Sequence, residues 1–330
     1  MNSLFAECSN LKSPKLHPNA FRKNHSDGLQ PLTTGYPVRL ARSRPQPHQR
    51  CEASLLRTDG CDTSCRNEFQ EKMTMDELRV KQYFERIGLE MPAQIIPDAE
   101  LLKKLTFHQI ISIPYENLQF LTKKMVPCSP DPLFQRIVIE KQGGICQDVA
   151  GLFAWFLSEL GYQVVQVGAK PFMERIRSHI HKTLIVTDCD GIEWLTEVAY
   201  TPFISNKLPL RFIMDIDQVS GDEVFRLENR DGKICLIGPY NDASFSLDYW
   251  DISYDLGTKI KRNTILGLDP AGSIKRNFSI GTPEGRRTLV GNLYRESFGD
   301  RIYSYECSKE MLPWAYSQFG LIYDESLEEP

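Results

Sequence analysis

Two glycines, one cysteine and a long apolar stripe at residues 143–161 limit the fold more than any other stretch. After Gly143-Gly144-Ile145-Cys146, the residues Val149, Leu152, Phe153, Phe156, Leu157 and Leu160 recur at helical spacing, and Gly161 stands where a helix C′ residue belongs. Such a stripe is stable only when it is buried against other elements. The preceding stretch supplies helices for it. Leu78, Phe84 and Ile87 mark one that ends at Gly88. Asp98 can cap a second carrying Leu101, Leu102 and Leu105, which must stop before Pro114. Asp131-Pro132 opens a third with Leu133, Phe134, Ile137 and Val138.

Beyond Gly161 the period changes from helix to strand. Gln163–Val167 and Thr183–Thr187 are rich in β-formers, and Cys189-Asp190-Gly191 reads as a turn leading into Ile192–Tyr200. Val224–Leu227 and Lys233–Ile237 flank Asn229–Gly232 in a second Asp-Gly hairpin. From about residue 246 short strands mix with a helix near Lys309–Phe319. Helices, then strands, then a mixture predict an α+β fold.

The first 73 residues differ from the rest. They hold six prolines, one Val, no Ile and no Trp, too little apolar surface to offset the entropy of ordering them, so a disordered extension is expected. Their first fifty positions carry eight Lys and Arg against two Asp and Glu, which is compatible with organelle targeting or with a tail of no function. Cys61-x3-Cys65, with Cys51 and His48 near it, matches no closed four-ligand pattern, so no metal is expected. A net charge of −4 gives no nucleic-acid footprint, and the longest apolar run, Leu152–Leu157, cannot span a membrane. Nine cysteines in a long chain without an apolar leader suggest free thiols in a reducing compartment, the cytoplasm.

Cys146 is the thiol best placed for chemistry. The stripe begins three residues later, so Cys146 lies at the first helical turn, where unpaired N–H groups and the positive end of the helix dipole favour a thiolate. A thiol nucleophile needs a base, usually His, and the His needs an orienting acceptor. Of six histidines three lie in the first 73 residues, and His108 falls inside a predicted helix. His179 and His181 stand at the entrance to the first hairpin strand. A three-residue turn with Gly191 at positive φ makes Asp188 face Ile192, Thr183 face Glu197 and His181 face Ala199. His181 and Glu197 are then diagonal neighbours on one face, roughly 7–8 Å apart at Cα and within side-chain reach. A two-residue turn would send them to opposite faces. His179 shares the parity of His181 and stays in reserve.

These residues resemble a known family. Pro114-Tyr115-Glu116-Asn117-Leu118, Gly143-Gly144-Ile145-Cys146-Gln147, His181 before a strand, a D-G hairpin, Thr282-Pro283-Glu284-Gly285-Arg286 and Phe319-Gly320-Leu321 follow in order. From about residue 75 to 321 the chain resembles an arylamine N-acetyltransferase. The resemblance implies a helical bundle over 74–161 with the nucleophile, a central antiparallel β-barrel over 162–245 with the His and the acid, and an α/β lid over 246–330. Cys146 matches the nucleophile and His181 the histidine of a cysteine-protease-like triad. Glu197 falls where the family usually has Asp.

The implied activity is transfer of an acetyl group from acetyl-CoA to arylamines, hydrazines or N-hydroxyarylamines through an acetyl-Cys146 intermediate, as in xenobiotic metabolism. Arg177, Ser178 and Ser279 match CoA contacts, and Ile180 and Tyr200 border the acceptor position. Arg175 and Lys170 are further candidates for the CoA phosphates. Two features depart from the pattern. Gln142 replaces the usual Arg before Gly-Gly, which would leave Glu116 without its ionic partner unless Arg136 or Lys141 substitutes. A charged run, Glu174–Arg177, replaces Gly-rich backbone before His181. Rival readings are an acyltransferase using malonyl-CoA or another donor, a cysteine hydrolase, and a non-catalytic binding protein. The T-P-E-G segment argues against the hydrolase, and the complete Cys-His-Glu set argues against the binding protein.

Overall fold

The fold was analysed in a computed structural model that describes residues 75–171, 181–199, 207–221, 223–238, 243–251, 254–267, 275–299 and 301–325. The chain divides into two units, Met1–Asn67 and Glu68–Pro330, and the described residues belong to the second. The expected disorder of residues 1–73 lies outside them.

The helical third matches its periodicity. Helix α1 spans Met75–Arg86, α2 Ala99–Ser112, α3 Leu118–Leu121, α4 Pro130–Phe134 and α5 Cys146–Glu159. A π-helical turn, Gln135–Ile139, continues α4. Asp98 caps α2 by accepting from Leu101 N at 2.8 Å. Gly88 and Gly161, both at positive φ, follow α1 and α5. The buried face of α1 does not take in all three marker residues. Val80, Tyr83 and Phe84 turn inward with Ile87, whereas Leu78 is 43% exposed. Tyr83 stacks on Phe156 of α5 with ring centroids 3.9 Å apart. Leu152, Phe153, Phe156 and Leu157 are fully buried at the centre of the largest core. Each such side chain contributes about 1.5–3 kcal/mol by leaving water.

Eight strands follow: β1 Gln163–Pro171, β2 His181–Thr187, β3 Glu193–Thr196, β4 Leu210–Arg211, β5 Gln218–Ser220, β6 Glu223–Arg230, β7 Lys233–Ile237 and β8 Ala243–Asp251. They form one antiparallel sheet in the order β4-β3-β2-β1-β8-β7-β6-β5. The β2–β3 hairpin has the register expected from its turn. Leu184 faces Thr196, Thr187 faces Glu193 and Gly191 has φ +77°. Asp188 fixes that turn: its carboxylate accepts from Asp190 N, Ile192 N and Trp194 Nε1. In the β6–β7 hairpin Asp231 and Gly232 both sit at positive φ, as a two-residue Asp-Gly turn requires.

The sheet curls until its two edges meet. Among the described residues no backbone ladder joins β4 to β5, so the expected barrel is not closed by main-chain pairing. Side chains bridge the seam instead. Gln218 accepts from Arg211 N and donates to Arg211 O, and Ser220 Oγ bonds Leu208 N and Leu208 O. Ala169, Leu195, Leu210, Phe225, Leu227 and Leu236 fill the inside of the curl.

Helix α6, Tyr254–Gly267, leads to a second antiparallel sheet of β9 Asn277–Gly281, β10 Gly285–Val290, β11 Leu293–Phe298 and β12 Arg301–Glu306. A 3-10 turn at Lys309–Met311 and helix α7, Leu312–Ser317, complete the expected terminal helix. Phe278, Leu289, Tyr294, Tyr316 and Phe319 make a third core there. The fold is α+β.

Candidate active site

The segment Pro114–Asn117 is the spine of the site. Tyr115 pairs through its backbone with Gly144 on one side and Ser279 on the other. Tyr115 N donates to Ser279 O at 2.8 Å, Ser279 N donates to Tyr115 O at 2.9 Å, and Glu116 N donates to Gly144 O at 3.0 Å. Asn117 ties the same spine to β9, accepting from Asn277 N and donating to Lys275 O. Both glycines before the cysteine are required by this closeness. A Cβ at Gly143 would collide with the Pro114 carbonyl oxygen, and one at Gly144 would lie 2.6 Å from Asp148 Cβ.

Arg136 settles the question raised by Gln142. Its Nη2 meets Glu116 Oε1 at 2.6 Å, its Nε donates to Gly143 O at 3.2 Å, and the other Glu116 oxygen accepts from Leu118 N at 2.6 Å. Glu116 keeps a buried ionic partner, delivered from the π-helical turn and not from the position before Gly-Gly. Lys141 adopts positive φ in the loop, and Arg86 grips that loop through Gln142 O at 3.3 Å.

Cys146 is the first residue of α5. His181 opens β2, and Glu197 lies one residue past the end of β3, where the backbone has left the ladder. His181 Nε2 lies 2.7 Å from Glu197 Oε2, and Glu197 Oε1 accepts from Ala199 N at 2.8 Å. Both carboxylate oxygens are therefore held. The Cys146 side chain hydrogen-bonds the same imidazole. Glu197 takes Nε2, which leaves Nδ1 as the ring nitrogen open to the thiol. His181 and Glu197 are each 3% exposed, and burial alone would push the imidazole toward neutrality. The charge of Glu197 and the bonds to Cys146 and Glu197 outweigh burial and raise His181 to about 10. At neutral pH the ring is an imidazolium between a carboxylate and a sulfur.

Other predicted residues are placed less directly. Ser279 is fully buried in β9, and its Oγ has no hydrogen-bond partner among the described residues. Arg175, Arg177, Ser178, His179, Ile180 and Tyr200 lie outside the described residues. Lys170 lies in β1 and is exposed. His108 lies on α2, its Nδ1 3.1 Å from Ile87 O. Among the described residues no group of three His, Cys, Asp or Glu could hold a metal.

Beneath α5 lies a charged cluster that sequence reasoning missed. Asp148 is fully buried and bonds Lys261 Nζ at 2.8 Å, Gln119 Nε2 at 3.0 Å and Ile145 N at 3.2 Å. Lys261, on α6, also donates to Gln119 Oε1 and Val126 O. Burial first, then the charge of Asp148, pushes the Cys128 thiol up to about 12, so it stays protonated and donates to Asp148 at 3.6 Å. An Asp inside an apolar stripe was a visible signal. Lys261 had none.

A family model described as N-acetyltransferase matches residues 98–264, which is half of the chain. The chain belongs to the arylamine N-acetyltransferase family. It is an acyltransferase by that membership. Arylamine N-acetyltransferase 2 of Mus musculus is 25% identical over 274 residues, covering 76% of this chain and 91% of that protein. Two solved structures share the fold. One, from Bacillus cereus, is described as having a unique Cys-His-Glu catalytic triad; it is 17% identical, has a TM-score of 0.65 and covers 76% of this chain and all of its own. The other, from Mycobacterium marinum in complex with CoA, is 19% identical with a TM-score of 0.64, covering 73% of this chain and 92% of its own.

Proposed function

We propose that this family member transfers an acetyl group from acetyl-CoA to an arylamine, hydrazine or N-hydroxyarylamine in two half-reactions on Cys146. The observation that carries this is the Cys146–His181–Glu197 set, in which a half-buried thiol bonds a buried imidazole that lies 2.7 Å from Glu197 Oε2. Acetyl-CoA supplies the acetyl group as a thioester. The Cys146 sulfur attacks as its thiolate and forms the bond to the acyl carbon. His181 gives its Nδ1 proton to the departing sulfur and becomes neutral. In the second half-reaction the neutral ring takes a proton from the attacking amine nitrogen. The C–S bond to Cys146 then breaks, restoring thiolate and imidazolium. Glu197 stabilises the charged ring and fixes its orientation without itself taking the proton.

The rest of the molecule supports this reading. We divide the chain into a helical domain over 74–161, a β-barrel over 162–245 and an α/β lid over 246–330, preceded by the extension 1–73; the separate cores inside the curled sheet and around β9–β11 support this, while the largest core joins the helices to Leu184, Val186 and Trp194 of the sheet. Side chains across the β4–β5 seam support the barrel. The unpartnered Ser279 hydroxyl is a polar atom that a ligand can satisfy, which supports a CoA role beside Arg177 and Ser178, while Ile180 and Tyr200 border the acceptor. Five described cysteines are unbridged, in keeping with the cytoplasm. No helix among the described residues is long and apolar enough to cross a membrane.

The test is intact-protein mass after brief mixing with acetyl-CoA, followed by peptide mapping. One acetyl group on Cys146, lost when an arylamine is added, is the expected result. An adduct from malonyl-CoA alone would change the donor. No adduct from either on folded protein would refute acyl transfer through Cys146.

A further inference from the structure

We propose that Asp148 and Lys261 are positioning residues that aim the first N–H of the nucleophile helix at the reacting carbonyl oxygen. This rests on the acyl-transfer reading of Cys146. Acyl transfer develops negative charge on the carbonyl oxygen, and donors fixed in advance are worth most there. The turn that opens α5 has few N–H groups to offer. Asp148 N and Val149 N both donate to Ile145 O, at 2.9 and 3.0 Å. Ile145 N donates to Asp148 Oδ2. Cys146 N–H, as the first of the helix, has no intrahelical acceptor. The Cys146 N–H shares its peptide plane with Ile145 O, which Asp148 N and Val149 N hold, and the bond from Ile145 N to Asp148 Oδ2 holds the peptide before it; Asp148 thus grips both peptides that set where the Cys146 N–H points.

Lys261 holds Asp148 in turn. Its Nζ lies on Asp148 Oδ1 at 2.8 Å, Gln119 Oε1 at 2.7 Å and Val126 O at 3.1 Å, so each of its three protons has an acceptor. Gln119 Nε2 reaches Asp148 Oδ2 and its Oε1 accepts from Val126 N, closing a ring of bonds among α3, α5 and α6. Lys261 is 1% exposed and Asp148 is fully buried. A buried ion pair adds little stability compared with apolar residues of the same volume. Its place directly under the nucleophile points to orientation.

The experiment compares two reactions of Cys146. Acetylation by p-nitrophenyl acetate and by acetyl-CoA needs the oxygen to be stabilised. Alkylation by iodoacetamide is a displacement at carbon and does not. The double variant Asp148→Asn/Lys261→Met removes both charges together and leaves no unpaired ion. It is expected to melt near the wild type, to acetylate about 10–100-fold more slowly from either donor, and to alkylate within about twofold of the wild-type rate. Lys261→Arg, which keeps the charge but alters its reach, is expected to show the same split at smaller size. Unchanged acetylation in a folded variant, or a parallel fall in both reactions, overturns the proposal. Failure of both variants to fold also overturns it, because the pair is then a folding element. Wild-type protein acetylated by p-nitrophenyl acetate but not by acetyl-CoA refutes the CoA-dependent function while leaving this test intact; acetylation by neither refutes both.

Discussion

Replacing Glu197 with Gln removes one charge while keeping the shape of the side chain. His181 is held at about 10 against an ordinary value of 6.5, a difference equivalent to roughly 5 kcal/mol. Two unit charges about 4 Å apart at an effective dielectric of about 20 interact by about 4 kcal/mol, and the charge of Glu197 is the largest of the effects that raise the ring against its burial, ahead of the bond to Cys146. Without that charge, burial is opposed only by Cys146, and the imidazole should titrate about three pH units below its wild-type value. In the wild type the folded state binds this proton more tightly than the unfolded chain. Its contribution to stability is therefore complete below about pH 6.5 and is lost as the pH rises through about 10. In the Glu197→Gln protein most of that contribution is gone, so stability should depend little on pH between about 6.5 and 10. The assay is a histidine NMR titration, with His181→Gln identifying the resonance, beside turnover at pH 7. We expect a neutral ring at pH 8 and turnover slower by on the order of 10²–10⁴. A Glu197→Gln protein whose His181 is still protonated at pH 8, or which turns over normally, would refute the reasoning.

Cys146→Ala should abolish acetylation, read as absence of the acetyl mass shift on a protein with an unchanged melting curve. Arg136→Met leaves Glu116 buried without its partner and should cost about 3–5 kcal/mol in urea unfolding; adding Glu116→Gln should recover most of that, and no recovery would mean that Arg136 acts through Gly143 O instead. Gly143→Ala forces a Cβ into the Pro114 carbonyl and should reduce both stability and acetylation, checked by calorimetry and by mass. Wild-type turnover should hold its alkaline side until the pH nears 10, where His181 loses its proton, and a limb near pH 7 would contradict the elevated imidazole.

Much of the site was legible because it rests on local geometry. Turn chemistry at Asp188–Gly191 fixed the register, and the register fixed which acid could meet His181. Helical spacing placed Cys146 at the start of α5. Local rules failed where a partner came from far along the chain. Helix α6 was missed because its sequence is polar and holds Gly257, which lets Lys182 Nζ lie 3.2 Å from the position of a Cβ there. Leu78 shares the helical spacing of Phe84 and Ile87 and is still exposed, because spacing gives the apolar face but not which edge of it the neighbours cover.

The sequence by itself determined the periodic elements, the sharp glycine approach to the thiol and the Cys-His-Glu set, because each depends on backbone sterics and side-chain spacing within a few residues. Only the tertiary structure decided that Arg136 and not Lys141 pairs with Glu116, that Lys261 meets Asp148 across more than a hundred residues, and that Gln218 and Ser220 bridge the edges of the curled sheet. Those choices follow from the energy of buried charge and unpaired polar groups. A buried carboxylate must find a cation, and an unpaired strand edge must find donors and acceptors. Which one it finds depends on how the whole chain packs.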